Sequence, residues 1–204
     1  MNLVIDQGNT KAKAAFFEGE TLVAFNETEV LTTSLINEWK TQYDIHHCIL
    51  SAVKPLPASV LSFLSASFDL FVDLTSHTPL PFRIGYKTPH TLGCDRVAAI
   101  AGAFEQTGSQ AVIVIDAGTA ITYDFMNENG VFEGGNIAPG IHLRLRALHE
   151  FTGKLPEVAP CGDLPLVGYS TETAIRSGVV NGICFEIEGF IAKIKATHPS
   201  VLVF

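Results

Sequence analysis

Two stretches of this chain place a carboxylate, a glycine and a threonine in the same order. Asn2-Leu3-Val4-Ile5 runs into Asp6-Gln7-Gly8-Asn9-Thr10, and Ala111–Ile115 runs into Asp116-Ala117-Gly118-Thr119-Ala120. In each, a short apolar run reads as a buried strand that delivers an Asp at its end. The glycine that follows permits a tight turn that can bring backbone N–H groups to an anion. Asn9 and Thr10 add neutral donors, and Lys13 adds a point charge suited to phosphate oxygens. A carboxylate repels phosphate, so the chemistry open to Asp6 is to hold a hydrated magnesium ion. Either stretch alone also reads as an ordinary hairpin whose Asp and Asn make turn hydrogen bonds. Its recurrence points to a duplicated phosphate-handling fold.

A third cluster lies between them. Gly85-Tyr86-Lys87-Thr88-Pro89-His90-Thr91-Leu92-Gly93-Cys94-Asp95-Arg96 leads into a helix expected over Val97–Glu105. Asp95 falls at or just before the first turn, where two roles are open to it. It can cap the helix, a contribution of about 1 kcal/mol. It can instead act as a general base between the halves, with Arg96 gripping an anionic substrate group by a two-pronged contact. Further on, Glu133-Gly134-Gly135-Asn136-Ile137-Ala138-Pro139-Gly140 sets adjacent glycines in a strand and a Pro-Gly before a helix. That suggests close backbone approach to a ligand or partner, although a plain strand–turn–helix joint explains it too. His142 and His149 share a helix face but have no third ligand nearby in sequence, so no metal site is expected there.

The elements that must position these groups come in two similar series. In the first half, strands are expected over Leu3–Ile5, Ala12–Phe17, Thr21–Phe25, Cys48–Val53 and Phe68–Leu74, with helices over Leu31–Gln42 and Ala58–Ala66. In the second, strands are expected over Ala111–Ile115, Ile121–Asn127, Val131–Ile137 and Val201–Phe204. Helices are expected there from Ile141 to Glu150 and from Thr171 to Ala196. The last helix sets Ile175, Val179, Ile183, Ile187 and Ile194 on one face, and its Gly178 and Gly182 would let another backbone come close. Three antiparallel strands followed by helices and parallel strands, twice over, is an α/β pattern with mixed sheets. A lobe over residues 1–110 and a second over 111–204 follow from it.

Composition narrows the function. The 204 residues are 47% hydrophobic and carry a formal charge of −8, which describes a well-buried globular chain without a basic surface for nucleic acid. A nucleotide substrate remains open, because backbone amides and a metal ion can hold a phosphate. The four cysteines are scattered without a CxxC pair or zinc spacing, and Cys48 and Cys184, in apolar runs, are expected to be buried thiols. No apolar run has the length of a membrane span, and the chain opens directly on a strand with no signal peptide, so a cytoplasmic location is expected.

Taken together, these residues resemble the type III pantothenate kinases, members of the acetate kinase, sugar kinase, heat-shock ATPase and actin superfamily. The family's DxGNTxxK appears as Asp6, Gly8, Asn9, Thr10 and Lys13, and its serine–valine–proline strand end is approximated by Ser51-Ala52-Val53-Lys54-Pro55. GxDR is Gly93-Cys94-Asp95-Arg96, and DxGTAxT is Asp116, Gly118, Thr119, Ala120 and Thr122. GGxIxPG is Gly134, Gly135, Ile137, Pro139 and Gly140, and TxxAIxxG is Thr171, Ala174, Ile175 and Gly178. The first and fourth motifs are shared with the wider superfamily; GxDR at this place, with GGxIxPG, is specific to the type III enzymes.

The resemblance implies duplicated ribonuclease H-like (actin-like ATPase) lobes with mixed five-stranded sheets and ATP held in the cleft. It implies a phosphotransferase with an alcohol acceptor, which makes 4′-phosphopantothenate from pantothenate in the first step of coenzyme A biosynthesis. Asp95 would be the general base, and Asp6 would organise Mg-ATP through water. The Gly8–Lys13 loop, Gly118 and Thr119 would hold the phosphates. Asp116 would bind a monovalent cation, potassium or ammonium. Tyr86, Gly93, Cys94, Arg96 and Thr171 would line the pantothenate site. The resemblance also implies a homodimer whose second subunit helps close the pocket, and insensitivity to feedback by coenzyme A. Family members continue past the final strand with a glycine-rich segment against adenosine. The sequence reaches Val203-Phe204 where that segment would start, so the second lobe is expected to be truncated before it. Two other readings share the fold: a phosphatase or a kinase of another hydroxy acid, and a non-catalytic accessory or regulatory binding protein.

Overall fold

The computed structural model describes residues 1–204 and divides into two compact units, Met1–Leu80 with Lys87–Ala98, and Pro81–Tyr86 with Ala99–Phe204. In the first unit the strands are β1 (Asn2–Gln7), β2 (Ala12–Glu18), β3 (Thr21–Thr28), β4 (His47–Ala52) and β5 (Leu70–Asp73), with helices α1 (Thr33–Tyr43) and α2 (Ala58–Ser67). They form one five-stranded sheet in the order β3-β2-β1-β4-β5. β1 pairs antiparallel with β2, β2 with β3, and the pairs β1–β4 and β4–β5 are parallel.

Alternation along these strands decides which face is core. Leu3 and Ile5 of β1, Ala12, Ala14 and Phe16 of β2, and Cys48 and Leu50 of β4 point to one face, where Ile36 and Trp39 of α1 and Val60 and Leu64 of α2 cover them. Phe16 makes an edge contact with Trp39 at 5.6 Å between ring centroids. α1 starts where the Thr32 hydroxyl accepts from the Leu35 amide, and it ends at Asp44, whose φ of 48° stops the right-handed turn.

The second unit repeats the plan. The strands β6 (Arg83–Ile84), β7 (Val112–Ala117), β8 (Ala120–Met126), β9 (Val131–Pro139) and β10 (Leu202–Val203) form a sheet in the order β10-β7-β8-β9-β6. As in the first unit, three antiparallel strands lead and a later strand joins parallel to the first of them, here β10 on β7. Helix α3 (Cys94–Thr107) begins in the first unit and passes into the second at Ala99; α4 spans Ile141–Glu150 and α5 Thr171–Lys195. α5 opens on a reciprocal cap between Ser170 and Thr173. Its Ile175, Val179 and Ile183 pack with Leu145 of α4 on Ile121 and Tyr123 of β8.

The two mixed five-stranded sheets match the expectation from sequence, and the long elements lie within a few residues of their expected bounds. Three details differ. β6, only two residues long, carries no periodicity to read; it adds to the edge of β9 in parallel register. Cys184 is exposed, because it sits a helical step off the Ile175–Ile183 stripe, and apolar neighbours in a helix do not fix which face a residue takes. A Cβ at Gly178 or Gly182 would have nothing within 4 Å, so no other segment of this chain uses the space they leave.

Candidate active site

The first loop is shaped by its own chain. Gly8 N–H donates to Lys11 O at 3.0 Å, closing the turn between β1 and β2. The buried Gln7 donates its side-chain amide to Gly8 O at 2.9 Å, and Lys54 Nζ donates to Asn9 O at 3.1 Å. Both tip carbonyls are thus occupied by donors, while the amides of Asn9 and Thr10 take no part in these bonds. Carbonyl oxygens would repel a phosphate, and tying them back leaves the donor side of the tip for an anion. Gly8 is not among the glycines with positive φ, so the turn closes without an angle reserved for glycine. Its constraint is room: a Cβ there would meet Lys11 O at 3.3 Å.

Asp6 and Lys13 are register partners across β1 and β2, and Asp6 and Ser51 are register partners across β1 and β4. At that end of the sheet Leu74, just beyond β5, donates its amide to Leu50 O, and its own carbonyl accepts the Cys94 thiol at 2.9 Å. The start of α3 is therefore tied to the C-terminal ends of the parallel strands β1, β4 and β5, the end at which open α/β sheets hold ligands. Asp6, the Gly8–Thr10 loop, Gly93, Cys94, Asp95 and Arg96 all belong to this unit.

Asp95 does not cap α3 from outside, since the helix begins at Cys94 and Asp95 lies within its first turn. Its Oδ1 accepts from the Arg96 amide at 2.8 Å. The carboxylate folds back over Gly93, whose missing side chain leaves the room: a Cβ there would overlap Oδ1 and lie 3.4 Å from Cγ. Arg96 is buried and Asp95 is half-buried. Burial, and then the neighbouring charges of Asp95 and Asp73, push the Cys94 thiol above its ordinary value.

In the second unit Asp116 and Ala117 end β7, and Gly118 N–H donates to Ala120 O at 2.9 Å to close the loop. Asp116, Gly118 and Thr119 are all exposed. The GGxIxPG run needs its glycines for close approach. The Tyr86 ring covers Gly134, whose φ is 122° and where a Cβ would lie 2.8 Å from ring carbon Cδ2. A Cβ on Gly140 would overlap the Gly118 carbonyl and approach Thr119 O to 2.7 Å. The strand–turn–helix joint thus seats the Asp116–Thr119 loop and holds Tyr86.

Thr171, the first residue of α5, is exposed. It opens on an apolar hollow of about 840 Å³ between α4 and α5, walled by Leu148, Phe151, Ile175 and Val179. Gly118 and Thr119 open on a separate hollow of about 290 Å³ with His142 and Arg146 of α4. His149, by contrast, bonds the Leu155 carbonyl. Sequence reasoning passed over Gln7 and Lys54, which shape the first loop. The position of Lys54 in the strand-end motif is the one signal that could have marked it.

Two duplicated mixed sheets, each with an Asp-Gly-Thr loop after the strand that opens its antiparallel run, are the fold of the sugar kinase and actin-like ATPase class. Solved structures agree on the fold. An N-acetylmannosamine kinase candidate from Listeria monocytogenes superposes with a TM-score of 0.50 at 13% identity, covering 99% of this chain and 82% of its own. A Campylobacter jejuni protein described as a candidate Baf family transcriptional activator gives 0.59 at 23% identity, with 92% and 78% covered.

Sequence goes further. The profile of the type III pantothenate kinase family matches residues 2–193. The type III pantothenate kinase of Bacteroides fragilis strain ATCC 25285 is 45% identical over 204 residues, 100% of this chain and 84% of that protein. That of Azobacteroides pseudotrichonymphae is 42% identical over 193 residues, 95% and 79% of the two. The chain belongs to the type III pantothenate kinase family.

Proposed function

We propose that this protein transfers the γ-phosphoryl group of ATP to the primary hydroxyl of pantothenate, giving 4′-phosphopantothenate for coenzyme A biosynthesis. Family membership supplies the acceptor. The observation that carries the chemistry is the Cys94–Leu74 bond, which ties the Asp95 turn to the sheet end that also bears Asp6 and the Gly8–Thr10 loop. A base and a phosphate loop on one sheet end is what phosphoryl transfer asks of a protein, since that reaction needs mainly positioning and charge neutralisation.

In this reading Asp95 takes the proton as the hydroxyl oxygen attacks the γ-phosphorus, the bond from that phosphorus to the bridging oxygen breaks, and ADP leaves. Arg96 and Gly93 beside it, with Cys94, Tyr86 and Thr171, bind pantothenate. Gly8, Asn9, Thr10 and Lys13, with Gly118 and Thr119, bind the phosphates. Asp6 fits a magnesium ion held through water, because a strand-end carboxylate beside the buried Ser51 hydroxyl, itself without a hydrogen-bond partner, offers oxygen donors only. Asp116, an exposed carboxylate near the end of β7, fits potassium or ammonium. These ions would neutralise phosphate charge.

A homodimer belongs to the same proposal. Phe151, which walls the α4–α5 hollow, is 85% exposed, and in the segment leading into α5 Val167 is 80%, Leu166 77% and Tyr169 72% exposed. Apolar surface of this kind calls for a partner, and Gly178 and Gly182 leave room on α5 itself. A cytoplasmic setting suits the four free thiols; no helix is long and apolar enough to cross a membrane.

The test gives purified protein pantothenate, Mg-ATP and either potassium or sodium, and measures phosphopantothenate. Potassium-dependent product that is lost in Asp95→Asn supports the kinase. ATP hydrolysis indifferent to pantothenate, or no turnover, would overturn it in favour of a phosphatase or a binding protein.

A further inference from the structure

Arg144 of α4 uses its donors on two different partners. NH1 and NH2 grip Glu186 of α5 in a two-pronged contact, at 2.7 Å to Oε1 and 2.6 Å to Oε2. Nε points the other way and donates to Pro139 O at 2.7 Å. That carbonyl belongs to the peptide whose N–H is Gly140, and Gly140 N–H donates to Thr119 O at 2.9 Å. One peptide group is therefore bonded on its oxygen side by Arg144 and on its nitrogen side by the Asp116–Thr119 loop.

A peptide group is planar and resists rotation about its central bond. Fixing the direction of the Pro139 carbonyl fixes the direction of the Gly140 N–H, and with it the place of the Thr119 carbonyl. The contact has no slack, because a side chain at Gly140 would run into the Gly118 and Thr119 carbonyls. A helix-to-helix tie would need only the two terminal nitrogens. The third donor goes to the corner that seats the loop. Tyr123 of β8 lies buried beside the pair, its hydroxyl pushed up by burial and by the charge of Glu186.

We propose that Arg144, oriented by Glu186, is the positioning residue for the Gly118–Thr119 loop, acting through the single peptide plane of Pro139 and Gly140. Arg144 itself touches no reacting group. The inference rests on the reading that this loop handles nucleotide phosphate and a monovalent cation, and it deepens that reading by naming what holds the loop in place.

The test compares Arg144→Met, Glu186→Met and the double variant with wild type. Hydrogen exchange at the Gly118 and Gly140 amides reads the loop without any turnover, and the apparent KM for Mg-ATP and the potassium activation constant read its use. Arg144→Met should speed exchange at both amides and raise both constants by roughly tenfold, the usual effect of losing a supporting partner. Glu186→Met, which leaves the Nε bond possible, should change them less. In the double variant no unpaired charge remains, so the melting temperature should recover towards wild type. Exchange and both constants should stay at the Arg144→Met level, because Pro139 O has still lost its donor. Recovery of the loop along with stability would overturn the proposal, as would wild-type exchange in Arg144→Met. If wild type itself fails to phosphorylate pantothenate, the functional reading falls and exchange alone decides the positioning role.

Discussion

The carboxylate of Asp95 occupies the space that a side chain on Gly93 would need, with Cγ only 3.4 Å from where that Cβ would be. The glycine of the GxDR motif is thus a condition on where the proposed base sits. Gly93→Ala should swing the carboxylate away while leaving Val97 N–H bonded to the carbonyl of residue 93. A displacement near 1 Å can cost about a hundredfold in rate, so kcat should fall on that order with little change in melting temperature. A folded Gly93→Ala protein with wild-type kcat would show that the carboxylate position is immaterial.

Lys54 should matter to the nucleotide through Asn9. Its ammonium holds the Asn9 carbonyl at 3.1 Å, and Lys54→Met frees that oxygen to turn towards an incoming phosphate. The expected result is a several-fold rise in the KM for Mg-ATP with the KM for pantothenate unchanged. Equal KM values for ATP in variant and wild type would remove Lys54 from the loop's support.

Thiol reactivity should rank by environment. Burial pushes the Cys48 thiol up to about 12, so almost none of it is thiolate at neutral pH. Cys94 is half-buried, also raised, and engaged with Leu74 O. Cys161, in the segment before α5, and Cys184 of α5 are both exposed. With a colorimetric disulfide reagent, Cys161 and Cys184 should react first, Cys94 slowly and Cys48 only on unfolding. Mass spectrometry of the labelled peptides reads the order, and early labelling of Cys48 would contradict the packing of β4.

Acid should weaken the α4–α5 tie. The hydrogen bonds and charge of Arg144 hold the Glu186 carboxyl below the usual carboxylate range. A folded-state value below the unfolded one adds stability that is complete above the unfolded pKa and lost as pH falls through the folded one. Wild type should therefore melt above Glu186→Gln at pH 7, and the gap should close below about pH 4. With the Glu186 side chain 46% exposed, the gap should be small and shrink in salt. A gap that is constant across the pH range would argue that the pair adds nothing beyond neutral hydrogen bonding.

The sequence by itself determined the elements and the loops. Strand alternation such as Leu3, Ile5 against Val4, Asp6, and the helical stripe of Ile175, Val179 and Ile183, are local periodicities, and local backbone geometry is enough to read them. The Asp-Gly-Thr turns were legible for the same reason, because a strand, its terminal carboxylate and its turn are neighbours in the chain. Membership of the kinase family was legible too, since its motifs are short and contiguous.

Tertiary structure alone decided the rest. No local pattern forms the two-residue β6, or starts α3 early enough to fold Asp95 back over Gly93. Lys54 reaches the first loop through a contact set by where β4 ends relative to β1. Arg144 and Glu186 lie 42 positions apart and meet only because α4 and α5 pack on the same face of β8. Each is a relation between surfaces, and a surface exists only once distant segments have packed.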